Sequence, residues 1–175
     1  MKEFLKKIKL IENFQIQLNT DRNTFYTKLK DIVEYGGTDY FSSMFEVFSS
    51  DKREYRGSVN YESFKIKRKR KLFDTNYNIA VASGKISDFE GKINVNIEIN
   101  SFSYFFIPFF IILIIFYSFF IFSVFFSGDN PPVFVIFFIF LHACLMFGLP
   151  YFIARRSIRR MKYDLEREFV FITRK

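Results

Sequence analysis

One long apolar block dominates this 175-residue chain. Between residues 102 and 154 the sequence contains a single charged side chain, Asp129. Asp129 lies in a short stretch, residues 127–132, that separates apolar runs at 102–126 and 133–154. Because about 20 apolar residues suffice to cross the hydrocarbon core of a bilayer, each run is long enough for one crossing. The block therefore predicts two transmembrane helices joined by a tight turn.

Basic residues flank the second apolar run on one side only. Residues 155–162 are strongly basic, whereas the turn at 127–132 contains no Lys or Arg. Since Lys and Arg near the ends of spans are retained on the cytoplasmic side, we expect an inner-membrane protein with both termini in the cytoplasm. We also expect four arginines of this segment to contact anionic lipid headgroups. They are Arg155, Arg156, Arg159 and Arg160.

The overall composition narrows the kind of partner. The net charge is +8, and a basic surface beside a membrane favours membrane lipids over nucleic acid, for which the sequence has no binding motif. The single cysteine, Cys144, lies inside the second apolar run and excludes a disulfide within one chain. The sequence also has no metal-ligand or cofactor motif, so we expect neither a metal nor a cofactor.

The residues before the block, 1–101, are expected to form one small cytoplasmic α+β domain. Alternating residues predict a strand at 14–18, and a 3.6-residue period predicts a helix over 21–35 capped by Thr20. Residues 40–49 fit either a helix or a strand. Further strand patterns, with turn signals between them, predict an antiparallel sheet. They cover residues 54–59, 64–72, 78–87 and 92–100.

Residues 155–175 are predicted to form a C-terminal amphipathic helix that docks on the first domain. Its apolar residues recur at helical spacing and fall on one face. They are Ile158, Met161, Leu165, Phe169 and Ile172. The resulting order of elements is similar to that of a reduced helix-grip domain with the membrane hairpin inserted before the final helix. This resemblance is one of topology and implies no function.

The N-terminal segment allows two interpretations. Four of its apolar residues fit one face of a helix surrounded by lysines, the composition of a segment that lies on an anionic membrane surface. They are Phe4, Leu5, Ile8 and Ile11. The alternative, which we prefer, is a short helix or an extended lead-in to the domain.

The segment from Phe64 to Asp74 is the first candidate binding site. As a strand it places Arg68 and Arg70 on the same face as apolar residues, where an unpaired charge is costly. A ligand carboxylate or phosphate would pair with their planar guanidinium groups; alternatively, the strand overruns the core and its charges are solvated. The opposite face carries lysines suited to lipid headgroups. They are Lys65, Lys67, Lys69 and Lys71.

His142, in the middle of the second apolar run, is the second candidate. Ionisable residues within a membrane are functional candidates by default. His142 lies at about the depth of Tyr117 and Ser118 on the first run, which favours an interhelical hydrogen bond over haem ligation or a proton relay. Pro108 and Pro150 are each expected to bend a helix near its cytoplasmic end.

No residue pattern supports catalysis. The chain has one His and one Cys and lacks hydrolase, nucleotide-binding and metalloprotease motifs, so we do not expect an enzyme. Our first hypothesis is an accessory or assembly subunit that packs on a larger inner-membrane complex or on copies of itself. The second is a membrane-tethered module that binds an apolar or anionic ligand or lipid headgroups. A two-span membrane effector or its immunity partner is the third.

Overall fold

The computed structural model describes most of the chain. The described residues are 1–39, 51, 53–69, 78–89, 91–104, 106–126 and 132–173. The chain forms two compact units: Met1–Phe102 together with Ala154–Lys175, here called the sheet unit, and Ser103–Ile153, here called the hairpin unit. Residues 40–49, for which the sequence left helix and strand open, lie outside the described residues.

In the described part of the chain, six strands form one sheet. They are β1 (Ile11–Leu18), β2 (Val33–Tyr35), β3 (Tyr55–Val59), β4 (Ser63–Arg68), β5 (Val81–Phe89) and β6 (Lys92–Asn100). Their order across the sheet is β1-β6-β5-β4-β3-β2. Neighbouring strands are antiparallel except for β2 and β3, which are parallel. The sheet unit is therefore an α+β structure with a mixed sheet.

The parallel pair differs from the wholly antiparallel sheet that the sequence predicted. The predicted helix ends at Ile32, and the chain passes directly into β2, where Val33 lies opposite Tyr55. A long connection separates β2 from β3, so the chain can return to the same end of the sheet, as parallel pairing requires. A strand of 3 residues is too short to show an alternating pattern. The sequence therefore assigned the residues of β2 to the end of the predicted helix.

Four helices are described. They are α1 (Lys2–Lys7), α2 (Arg22–Ile32), α3 (Phe106–Phe126) and α4 (Val133–Thr173). Helix α2 is capped by Asp21 rather than by Thr20: the Asp21 carboxylate accepts a hydrogen bond from the Thr24 amide at 2.9 Å. Hydrogen bonds from the side chain of Thr24 and from its backbone amide lower the pKa of Asp21. Helix α1 is so short that Ile11 falls in β1, so the apolar helical face considered for the N-terminus does not form.

One hydrophobic core joins α2 and the second half of α4 to one face of the sheet. Phe25 and Leu29 of α2 are fully buried in it. The five residues that the sequence placed on one face of the C-terminal helix all belong to this core. Strand β6 has the predicted bounds and the predicted alternation, since Ile93, Val95 and Ile97 are buried in the same core.

An aromatic cluster holds α4 against the sheet. The ring of Phe169 makes edge contacts with Phe25 at 5.2 Å and with Phe64 at 5.8 Å between centroids. Gly84 on β5 leaves the space that the Phe64 ring occupies, because a Cβ at Gly84 would lie 2.2 Å from that ring. Edge contacts between rings add to the energy of apolar burial, so the missing side chain at Gly84 supports the packing of α4.

We expect Gly84→Ala to lower the free energy of unfolding by about 1–3 kcal/mol, because overpacking would push the Phe64 ring out of place. Ser83→Ala is the matched control, since Ser83 is the exposed neighbour on the same strand. It should change stability by less than about 0.5 kcal/mol. Denaturant unfolding of the full chain in detergent measures both variants. Equal stability of the two would contradict a tight contact between Gly84 and Phe64.

The hairpin unit consists of α3 and the first half of α4. Among the described residues, these two helices are long and apolar enough to cross a membrane. Pro108 lies in the first turn of α3, where a proline removes no intrahelical hydrogen bond, so the bend expected at Pro108 has no cause. Pro150 lies inside α4, where a proline removes one backbone hydrogen bond. The helix nevertheless continues unbroken from Val133 to Thr173.

Candidate functional site

The lysines of the basic strand do not form one exposed face. Lys65 is exposed, but Lys67 and Lys69 are each only 6% exposed. Lys67 Nζ donates to the backbone oxygen of Asp39 at 3.3 Å. Lys69 Nζ donates to the backbone oxygen of Asp51 at 3.0 Å. Both buried lysines therefore bind the backbone of the protein itself, which withdraws them from a headgroup surface.

Lys69 also belongs to a shielded ion pair. Its Nζ lies 2.5 Å from Oε2 of Glu34, and the two side chains are 4% and 19% exposed. Because a buried charge is costly without a partner, Glu34 is what makes burial of Lys69 possible. Arg70 and Lys71, the other predicted contacts of this segment, lie outside the described residues.

Arg68 finds its counter-charge within the protein. Its Nη1 lies 2.6 Å from Oδ2 of Asp164 on α4, and its Nη2 lies 3.9 Å from Oε2 of Glu54. The side chains of the shorter pair are 25% and 11% exposed. The anion that an arginine on an apolar face requires is thus Asp164, so Arg68 needs no ligand for neutralisation. Sequence reasoning missed Asp164 because it lies beside the apolar stripe of the helix rather than in a motif.

The buried side chain of Tyr55 belongs to the same region. Tyr55 is only 1% exposed, and burial raises the pKa of its hydroxyl well above the usual range, with the charges of Asp164 and Glu168 adding to the effect. The tyrosine is therefore neutral at physiological pH. Together with the Arg68 ion pair, it makes this region a contact that positions α4 on the sheet.

We expect Asp164→Asn to lower the free energy of unfolding by about 1–2 kcal/mol, because Arg68 would lose its closest carboxylate in a partly shielded site. Arg167→Gln is the control. It removes the exposed pair with Glu168, in which the arginine side chain is 56% exposed, and should cost less than about 0.5 kcal/mol. Chemical denaturation of the full chain measures both. A similar cost for the two variants would show that Asp164 is no more important than a surface charge.

The arginines that follow the second apolar run lie outside the core. Arg156 and Arg159 are exposed, and Arg155 and Arg160 are half-buried. One unbroken helix joins them to the apolar residues that end at Ala154. Along the axis of α4, the basic side chains therefore begin where the apolar ones end.

A groove of about 470 Å³ lies beside this basic part of α4. Its charged lining residues are Lys9, Glu12, Arg155, Arg159, Lys162 and Glu166. Lys162 Nζ lies 2.6 Å from Oε1 of Glu12 and 5.4 Å from the centre of the Phe14 ring. The hydrogen bond to Glu12 raises the pKa of Lys162. The groove is thus a cationic site built by α4 and the start of β1.

Sequence reasoning identified only part of this groove. It singled out Arg155 and Arg159 from their place after the apolar run, but it did not include Lys9, Glu12 or Lys162 among the candidates. Glu12 and Lys162 are 150 positions apart in the chain. A contact over that separation depends on how α4 packs on the sheet, and no local pattern signals it.

In the hairpin unit, Tyr117 and His142 meet between the two helices. Tyr117 Oη lies 2.6 Å from His142 Nδ1, which is the interhelical contact expected at this depth. Tyr117 is buried, whereas Ser118, the alternative partner, is exposed. Phe110 also stacks on Phe147, with 5.7 Å between ring centroids, and extends the contact between the two helices. The arrangement gives His142 a structural partner.

We expect His142→Phe to cost about 1 kcal/mol of stability, because it removes the hydrogen bond to Tyr117. Tyr117→Phe should cost a similar amount. The double variant should cost little more than either single one, since all three lose the same bond. Unfolding in detergent micelles measures the cycle. Fully additive costs, or a haem absorption spectrum in the purified protein, would contradict this structural role.

Comparison with known protein families, with curated proteins and with solved structures gives no match. Within the described residues, no group of three or more His, Cys, Asp or Glu side chains is placed to hold a metal ion. Among the groups that the fold does bring together are shielded ion pairs, the cationic groove and the hydrogen bond of the hairpin. Of these, the groove is the arrangement suited to an external anion.

Proposed function

We propose that this chain is a two-span integral protein of the inner membrane with both termini in the cytoplasm. The observation that carries the proposal is the exposure of its apolar helices. In the most apolar stretch of each helix, only 6% and 0% of the residues, respectively, are buried. The core helix of a soluble domain would bury such a surface, since apolar area in contact with water is unfavourable. A bilayer covers that surface, and helical hydrogen bonds satisfy the backbone within it.

The distribution of basic residues supports the proposed orientation. Arg155 and Arg156 directly follow Ala154, the last residue of the apolar run, whereas residues 127–132 contain no Lys or Arg. Basic residues close to the end of a span are retained on the cytoplasmic side. An even number of spans then places both termini on that side.

Cysteine labelling tests this orientation. Cys144→Ser removes the only native thiol. Asp129→Cys then reports on the segment between the two apolar runs, which lies outside the described residues, and Lys30→Cys reports on the exposed face of α2. In right-side-out membrane vesicles we expect an impermeant maleimide to label the Asp129→Cys variant. The Lys30→Cys variant should react only after the membrane is opened. The reverse pattern would contradict the orientation, and immediate labelling of both would contradict membrane insertion.

Within the membrane we propose a non-enzymatic accessory role, in which the hairpin packs on helices of a larger complex. Many large apolar side chains of the hairpin unit face outward, Phe119 and Phe137 among them. Helix association in lipid relies on close packing and on interhelical hydrogen bonds. His142 is half-buried and bonds Tyr117 through Nδ1, which leaves Nε2 to bond a polar group on a neighbouring helix.

Extraction into nanodiscs followed by mass spectrometry tests the accessory role. We expect the protein to co-purify in fixed stoichiometry with a defined membrane complex. Phe119→Leu and Phe137→Leu remove outward rings and should each reduce co-purification about fivefold, the loss of about 1 kcal/mol of ring packing. Phe4→Leu, the same change at an exposed position of the sheet unit, should have no effect. A chain that purifies alone would contradict the role, and growth inhibition on expression would favour a membrane effector.

We also propose that the sheet unit is a reduced helix-grip domain. The strand order, with β1 and β2 at opposite edges, and a C-terminal helix buried on the sheet support this topology. Met161, Leu165 and Phe169 of that helix are fully buried and fill the interior between helix and sheet. A ligand of the domain is therefore expected at its surface rather than inside its core.

A further inference from the structure

The groove beside α4 contains cations that have no ion-pair partner in the described part of the chain. Lys162 is paired with Glu12. Within the described residues, by contrast, neither Arg155 nor Arg159 has a carboxylate at ion-pair distance. One further acidic residue, Glu166, remains on the groove wall. The two arginines therefore present a positive surface that calls for an external anion.

Lys9, on the other side of the groove, has a backbone conformation that favours glycine. Its φ is +58°. The Lys9 amide donates to the carbonyl of Lys6 at 3.0 Å, and the Leu10 amide donates to that of Leu5 at 2.8 Å. These are the hydrogen bonds of a Schellman motif, in which the left-handed position is usually glycine because a side chain is unfavourable there. The lysine side chain lines the groove, and binding is a reason to keep it at a strained position.

We propose that this groove binds a phosphate group. Arg155 and Arg159 are one helical turn apart on the same side of α4, and both line the groove. Their planar guanidinium groups match the geometry of phosphate oxygens by paired hydrogen bonds. Lys9 adds a third positive charge from the other side of the groove. Ile158, which is 1% exposed, adds an apolar residue to the lining of the groove.

The phosphate belongs either to a lipid headgroup or to a soluble phosphate ester. Arg155 directly follows the apolar run in α4, so a headgroup at the end of that span would meet this cation first. Glu166 lies about 16 Å farther along the helix axis, and its negative charge makes the far end less favourable for an anion. The phosphate is therefore expected close to Arg155 and Arg159.

The test uses the full-length protein in nanodiscs. The groove variant, Arg155→Gln with Arg159→Gln, is compared with Lys30→Gln combined with Arg167→Gln, which removes the same charge from exposed positions outside the groove. One arm measures retention of phosphatidylglycerol against phosphatidylcholine by native mass spectrometry. The other titrates glycerol 3-phosphate by calorimetry into discs of phosphatidylcholine alone. Thermal unfolding verifies that each variant is folded.

We expect the groove variant to lose about 30-fold in affinity for phosphatidylglycerol, about fivefold for each cation removed. The control should lose less than about threefold. Losses in both arms would assign the site to phosphate esters in general, and a loss confined to the lipid arm would assign it to headgroups. Equal losses in the two double variants would overturn the proposal, because positive charge anywhere on the surface of the protein would then suffice. Absence of binding by the unmodified protein in both arms would overturn it as well.

Lys9→Gly separates binding from folding. Glycine removes the cost of the left-handed conformation, so the midpoint of thermal unfolding should rise by roughly 4 °C. Affinity for phosphatidylglycerol should fall about fivefold, since one cation of the groove is lost. A rise in the midpoint with unchanged affinity would show that Lys9 takes no part in binding.

Discussion

The rest of the structure depends on helix α4, whose two halves lie in different surroundings. Its 41 residues form one unbroken helix. In the first half, apolar side chains are exposed on most sides, whereas in the second half one stripe is buried on the sheet. Met161, Leu165 and Phe169 of that stripe are fully buried in the core of the sheet unit. The preceding strands therefore lack a complete core until the chain has passed through the whole hairpin.

Electrostatics restricts where α4 can dock. An apolar stripe alone would allow a helix to slide by one turn, because residues three or four positions apart share a face. The Arg68–Asp164 pair opposes such a shift, since a displaced helix would leave the shielded carboxylate of Asp164 without its arginine. The edge contacts of Phe169 with Phe25 and Phe64 have defined geometry and act in the same direction. Shape and charge together select a single register for the helix.

Features with a local pattern could be read from the sequence, and features that depend on distant contacts could not. The alternation of β6 and the stripe of the C-terminal helix follow from the period of apolar residues. The Tyr117–His142 contact follows from counting depth along two apolar runs. By contrast, the burial of Lys69 depends on Glu34, and the groove depends on Lys9 meeting α4. In both cases the partner lies far away in the sequence, so the residues look like ordinary surface charges until the fold is known.

The count of 26 lysines and arginines therefore overstates the cationic surface that an anionic partner would meet. Lys67 and Lys69 donate hydrogen bonds to backbone carbonyls, and Arg68 forms an ion pair with Asp164. A stretch of alternating lysines and arginines that suggests a binding face is, in its described part, mostly internal structure. Attraction between charges at close range depends on local pairing and shielding rather than on composition. For that reason the short run after the apolar block has more bearing on an anionic partner than the longer basic strand. Among the residues that the structure describes, Arg155 and Arg159 of that run have no carboxylate at ion-pair distance.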